Sequence, residues 1–84
     1  MAQARQLKSA GALEAAIDVL ETATQTDPTN AEARYLLADA LFARAFKRGD
    51  QAEIARARDL AHEVVQLSPS HQEVGALLVA IRNA

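Results

Sequence analysis

The sequence predicts an all-α protein built as an array of antiparallel helical hairpins. Half of its 84 residues are apolar, and many of these are alanine, while only two Phe and one Tyr are present. Alanine, leucine, glutamate, glutamine and arginine all favour helices. Apolar residues recur every three or four positions, and Pro and Gly separate the periodic stretches. A chain of this length forms one small domain.

Composition excludes several classes of protein. The net charge of −2 is too small to indicate binding to nucleic acid or an anionic membrane. The absence of cysteine excludes disulfides and zinc–thiolate sites. No signal peptide or membrane-spanning run is present, so we expect a soluble, cytoplasmic chain without membrane insertion. Met1 is also compatible with an added start on a piece of a longer protein.

The first half of the chain predicts three helices. Residues 2–9 form two helical turns that end at Gly11. Residues 12–26 form an amphipathic helix that ends before Pro28, with an acidic, solvated outer face. Its inner stripe is Leu13, Ala16, Ile17, Leu20, Ala23 and Thr24, and its outer face carries Glu14, Asp18, Glu21 and Gln25.

The third predicted helix spans residues 30–48, and a capping box of Thr29 and Glu32 starts it. Its apolar residues lie on most sides of the helix, so we expect it to pack against neighbours on more than one side and place it at the centre of the array. They form two stripes: Tyr35, Ala38, Phe42, Ala45 and Phe46; and Leu37, Ala40 and Leu41.

Two more helices follow Gly49. One ends at Leu67 and is capped by Asp50 with Glu53; the other, residues 70–84, is capped by Ser70 with Glu73. Their inner stripes are Ile54, Ala57, Leu60, Ala61 and Val64, and then Val74, Leu77, Leu78 and Ile81.

Two segments, residues 12–30 and 52–71, share one pattern, in which a helix ends at X-Pro and a polar cap opens the next helix. This pattern is typical of helical repeats. The chain resembles the tetratricopeptide repeat, a helix–turn–helix unit of about 34 residues. The residues on the family's motif positions are Gly11, Ala16, Leu20, Ala23, Pro28, Leu37, Ala38, Leu41, Ala57 and Pro69.

The chain also departs from the family pattern. Arg34 replaces the early aromatic residue, with Tyr35 beside it, and Val64 replaces the late alanine. Pro28 and Pro69 are 41 residues apart, about seven more than in the family and close to two helical turns. We therefore expect about one extra turn on each helix of that pair. The expected organisation of the single domain is a short first repeat at 1–30, a lengthened second repeat at 31–69 and a closing helix at 70–84; the shortness of the first repeat indicates truncation.

The resemblance implies a concave groove that binds a peptide or helix of a partner protein. Its expected lining is Arg5 and Lys8, then Tyr35, Asp39 and Phe42, and then Ala76, Ala80 and Asn83. Two rings beside a carboxylate offer apolar area and one charge-assisted hydrogen bond. The alternative is that the two rings fill the core, which we favour for Phe42. A clamp for a C-terminal carboxylate is not expected, because Tyr35 and Asp39 replace its Lys and Asn.

No catalytic site is predicted. His62 and His71 match no metal spacing, so both are interpreted as surface residues, and neither a metal nor a cofactor is expected. The basic cluster around Gly49 is interpreted as a solvated turn, so no nucleic acid is expected. It comprises Arg44, Lys47, Arg48, Arg56 and Arg58.

A second hypothesis is self-assembly, with a homodimer forming through the C-terminal helix. The terminal helices of an array usually carry a polar outer face. Here Val79 is apolar on the side that we expect to face solvent.

Overall fold

The computed structural model describes residues 13–84, which form four helices joined by short turns. They are α1 (Leu13–Thr26), α2 (Ala31–Arg48), α3 (Gln51–Leu67) and α4 (Gln72–Arg82). The all-α class is confirmed. Four of the five predicted helices are present, and the helix predicted at residues 2–9 lies outside the described residues.

Helix α2 lies at the centre of the array, as predicted from the apolar residues on most of its sides. It packs against α1 and α3 and also touches α4. Four of its seven buried residues are alanines with no exposed surface. Small side chains allow helix axes to approach at the short end of the usual 8–10 Å range. The buried residues of α2 are Ala33, Leu36, Leu37, Ala38, Ala40, Leu41 and Ala45.

The other helices each bury one narrow stripe, and all nine of these residues lie on the predicted inner stripes. Leu60, Ile54 and Leu78 are only partly buried and pack at the edge of the core. The prediction for Phe46 is wrong, because this ring is 64% exposed. The buried stripes are Ala16, Ile17 and Leu20 on α1, Ala57, Ala61 and Val64 on α3, and Val74, Leu77 and Ile81 on α4.

The central hairpin contains the two longest helices. Helix α2 has 18 residues and α3 has 17, whereas α1 has 14. The difference is about one helical turn for each helix. The division of the second repeat's extra residues between its two helices stays a prediction.

Two of the three predicted helix caps are wrong. Helix α2 is capped by Asn30, whose Oδ1 accepts from the Ala33 amide at 3.0 Å, while the Thr29 hydroxyl donates to Asp27. Asp50 caps α3 as predicted. Helix α4 is capped by the ring of His71, one residue later than the predicted Ser70. In both wrong predictions, the residue after the chosen one accepts the bond.

Gly49 ends α2 in the left-handed region, at φ 67° and ψ 29°. The amide of Gly49 donates to the Phe46 carbonyl, and the Asp50 amide donates to the Ala45 carbonyl. This arrangement satisfies carbonyls at the end of the helix and turns the chain directly into the Asp50 cap of α3. The tight central hairpin therefore depends on a conformation that favours glycine.

We predict that Gly49→Ala and Gly75→Ala change stability in opposite directions. A Cβ at either position meets no atom within 4 Å, so only the backbone distinguishes them. Gly49→Ala should lower the free energy of unfolding by about 1 kcal/mol, because alanine is strained at positive φ. Gly75→Ala should raise it by about 0.5–1 kcal/mol, because Gly75 lies within helix α4. Urea denaturation measures both changes, and a loss of stability in both variants would contradict the explanation.

Candidate functional site

One face of α2 carries four residues that are not fully buried. They are spaced at i, i+4, i+7 and i+11, which places them on one side of a helix. Phe46 is exposed, and the other three are half-buried. We call this face the α2 strip; it consists of Tyr35, Asp39, Phe42 and Phe46.

The C-terminal half of the α2 strip is an aromatic pair. The ring centroids of Phe42 and Phe46 lie 5.9 Å apart with planes tilted by 58°. Phe42 packs against the core, while Phe46 is the most exposed of the large hydrophobic residues among those described. Periodicity predicts a core position for Phe46, although the spacing of Phe46 from Tyr35 and Asp39 places it on their face.

The N-terminal half of the strip adjoins the start of α4. The ring of Tyr35 packs against the core and contacts the ring of His71, with centroids 4.8 Å apart. The His71 side chain is only 12% exposed, so the prediction that it is a surface residue is wrong. His62, in contrast, is exposed as predicted. The Tyr35–His71 contact ties the face of α2 to the last helix.

The remaining groove residues from the sequence lie in different places. Asp39 is half-buried one turn after Tyr35, between Tyr35 and the phenylalanine pair. Ala76, Ala80 and Asn83 are exposed on or just after α4. Arg5 and Lys8 lie outside the described residues.

Comparison with protein families finds that residues 4–44 match a family described as the TPR repeat. Residues 4–44, just under half of the chain, are similar to the tetratricopeptide repeat family. The resemblance found in the sequence is thereby confirmed, and this family consists of protein-interaction modules. A search of curated proteins found no match to the chain. Within residues 13–84, no helix has both the length and the apolar character that crossing a membrane requires.

Helices α1 and α2 are joined to α3 through Arg44. This side chain forms a two-bond fork with Glu53 of α3, and its Nη1 donates to Glu14 Oε2 of α1 at 2.7 Å. The side-chain hydrogen bond to Glu53 is the largest cause that raises the pKa of Arg44. Burial opposes it, and the charges of Glu53 and Glu14 raise the pKa further. Arg44 and Glu53 are 18% and 11% exposed, so water screens this pair less than an ordinary surface pair.

Further ion pairs show that the acidic face of α1 is not simply solvated. Glu14 also accepts from Arg48 at 2.8 Å, and Glu21 accepts from Arg56 of α3 at 3.2 Å. Three of the five cations around Gly49 are therefore neutralised by carboxylates of α1 or α3. This pairing supports the interpretation of the basic cluster as part of the surface rather than a phosphate site.

Arg34 occupies the position where the tetratricopeptide repeat usually carries an aromatic residue. Its Nη1 lies 2.8 Å from Glu63 Oε2, and its Nε donates to the Pro28 carbonyl at 2.6 Å. The guanidinium therefore connects the turn before α2 with the end of α3. At this position the hydrogen bonds of Arg34 take the place of the packing of an aromatic side chain.

Three side chains near the strip resemble a metal site, which the sequence did not predict. Ligand atoms of Glu32, His71 and Glu73 lie within 4.8 Å of one another. However, His71 Nδ1 accepts the Val74 amide proton at 3.2 Å, so the ring proton lies on Nε2, which faces Glu32 Oε1 at 3.7 Å. A metal bound to Nε2 would move that proton to Nδ1 and break the cap of α4. The cap thus competes with metal binding.

We predict that zinc leaves the thermal midpoint of the wild-type chain unchanged, because binding would cost the cap of α4. The measurement is thermal unfolding with and without Zn²⁺, using His71→Asn as the control variant. A midpoint that rises with zinc in the wild type but not in His71→Asn would contradict this prediction.

We also predict that His71 stabilises the fold in two separable ways. His71→Ala should lower the free energy of unfolding by about 1–2 kcal/mol, because it removes both the cap and the ring contact. His71→Asn should retain the cap and lose only the contact with Tyr35, at a cost below about 1 kcal/mol. Urea denaturation compares the two variants, and equal stabilities would show that the cap contributes nothing.

Proposed function

We propose that the chain binds a peptide or helix of a partner protein along the α2 strip. The observation that carries the proposal is the exposed ring of Phe46, paired with Phe42 on the same helical face as Asp39. Aromatic rings exposed on a rigid helix are frequent anchors in protein interfaces. The family, whose members bind protein partners, supports the same function.

The chemistry of the strip indicates which partner residues it suits. The phenylalanine pair offers apolar area that a partner side chain would remove from water. Asp39, next to the pair, offers a carboxylate to a cationic or amide donor. A partner segment with an apolar residue followed one turn later by Lys or Arg would use both groups.

A second candidate function is self-assembly through the outer face of α4. Val79 on this face is 47% exposed, which supports an interface there. Sedimentation velocity tests this candidate: a monomer at all concentrations would exclude it, and a concentration-dependent dimer would favour it.

We predict that Phe46→Ala weakens partner binding about tenfold or more without loss of stability. Peptides are first selected from a random displayed library on the wild-type chain, and their affinities for the variants are then measured. Because Phe46 is largely exposed, its truncation should change the free energy of unfolding by less than about 0.5 kcal/mol. Val19→Ala on α1 is the matched control, since Val19 is also an exposed apolar residue. Equal affinities of wild type and Phe46→Ala for all selected peptides would refute the α2 strip as the binding surface.

Charge reversal at Asp39 should abolish binding of those selected peptides that contain a cation. Asp39→Lys replaces an attraction by a repulsion at the centre of the strip. Asp59→Lys makes the same change on an exposed position of α3 and serves as the control. Circular dichroism checks that helicity is retained, and unchanged affinity for Asp39→Lys would remove Asp39 from the site.

A further inference from the structure

A groove of about 500 Å³ lies between α3 and α4 at the C-terminal end of the array. We call it the terminal groove. It shares no residue with the α2 strip. Its described lining is Gln51, Ile54, Arg58, His62, Leu78, Val79, Ile81, Arg82 and Ala84.

The walls of the terminal groove are two helical ridges. Ile54, Arg58 and His62 are spaced at i, i+4 and i+8 along α3, and Leu78 and Arg82 are spaced at i and i+4 along α4. Between Gln51 and His62 the α3 wall is about 16 Å long, or three helical turns. A channel between two such ridges has the shape that receives the ridge of a third helix.

The lining combines apolar and cationic side chains. Ile54, Leu78 and Ile81 are buried or partly buried at its base, and Val79 adds exposed apolar surface. Above this base stand two arginines, Arg58 and Arg82. None of the described lining residues has a carboxylate side chain.

These two arginines differ from the other arginines of the described part of the chain. Arg34, Arg44, Arg48 and Arg56 each form an ion pair with a glutamate. Within residues 13–84, neither Arg58 nor Arg82 pairs with a carboxylate. Neither guanidinium is therefore engaged in an ion pair with a described carboxylate, and their positive charges at the groove favour an acidic ligand.

We propose that the terminal groove binds an acidic amphipathic helix of about three turns, presented by a partner protein. The apolar stripe of that helix lies on Ile54, Leu78 and Val79, and acidic residues beside the stripe pair with Arg58 and Arg82. Binding of this kind uses the general helix-in-groove mode. A groove-to-groove contact with a second copy of this chain is less favourable, because the described lining has no carboxylate side chain to pair with Arg58 and Arg82 of the other copy. The proposal is independent of the function assigned to the α2 strip.

Binding of two designed peptides tests this proposal. The first is a fluorescent, end-capped helix of about 14 residues with an apolar stripe of leucines flanked by glutamates. The second is identical except that lysine replaces every glutamate. Fluorescence anisotropy against the whole chain should show that the glutamate peptide binds at least roughly tenfold more tightly than the lysine peptide.

Four variants assign the binding to the groove. The double variant Arg58→Glu/Arg82→Glu should reverse the preference, so that the lysine peptide binds more tightly. Val79→Asp, on an exposed position, should weaken binding of the glutamate peptide. Lys47→Glu is the matched control and should leave both affinities unchanged, since Lys47 also forms no ion pair among residues 13–84 but lies outside the groove. Phe46→Ala should have no effect, which separates this site from the α2 strip.

Two results would overturn the proposal. The first is equal affinity for the glutamate and lysine peptides, or a preference that survives the double arginine reversal. The second is a wild-type dimer in sedimentation velocity that Val79→Asp dissociates, because the groove would then belong to a second copy.

Discussion

The close packing of α2 on α3 is the constraint on which the rest of the structure depends. Alanines that are fully buried form much of this core, including Ala38 and Ala40 on α2 and Ala57 and Ala61 on α3. A side chain with one carbon lets two helices approach closely without interdigitating long side chains. The larger residues Leu37, Leu41 and Val64 fill the space that remains. The core is therefore dense although the chain contains very few aromatic residues.

The aromatic rings lie outside the buried core, whose described residues are Ala, Leu, Ile and Val. Because alanine and leucine supply the core, the phenylalanine pair lies at its edge, and Phe46 extends into solvent. Both proposed surfaces follow from the same packing. The α2 strip is the part of the central helix that its described neighbours leave uncovered, and the terminal groove is the channel where α4 packs on α3. Ion pairs join α1, α2 and α3, whereas Arg58 and Arg82 at the end of the array form none among residues 13–84.

The sequence predicted the helices far better than it predicted the surface. Periodicity identified Ile17, Leu20, Val64 and Ile81 as core because each lies on a single narrow stripe. The same reasoning was wrong for Phe46, since hydrophobicity alone does not show which side of a nearly all-apolar helix has no neighbour. Local patterns predict Thr29 and Ser70 as caps. A cap, however, requires extended backbone dihedral angles at the residue just before the helix, and the residues with these angles are Asn30 and His71. The ion pairs of Glu14 and the contact of His71 with Tyr35 join residues far apart in the chain, which periodicity does not detect.

The alanine-packed interface is tested most directly by enlarging one of its residues. The free energy of unfolding of Ala57→Leu, measured by urea denaturation, should fall by about 1–3 kcal/mol, because the added carbons have no space between α2 and α3. Ala52→Leu makes the same change at an exposed position of the same helix and should alter stability by less than about 0.5 kcal/mol. Wild-type stability for Ala57→Leu would contradict the account, since it would mean that the two helices do not require a small residue at their contact.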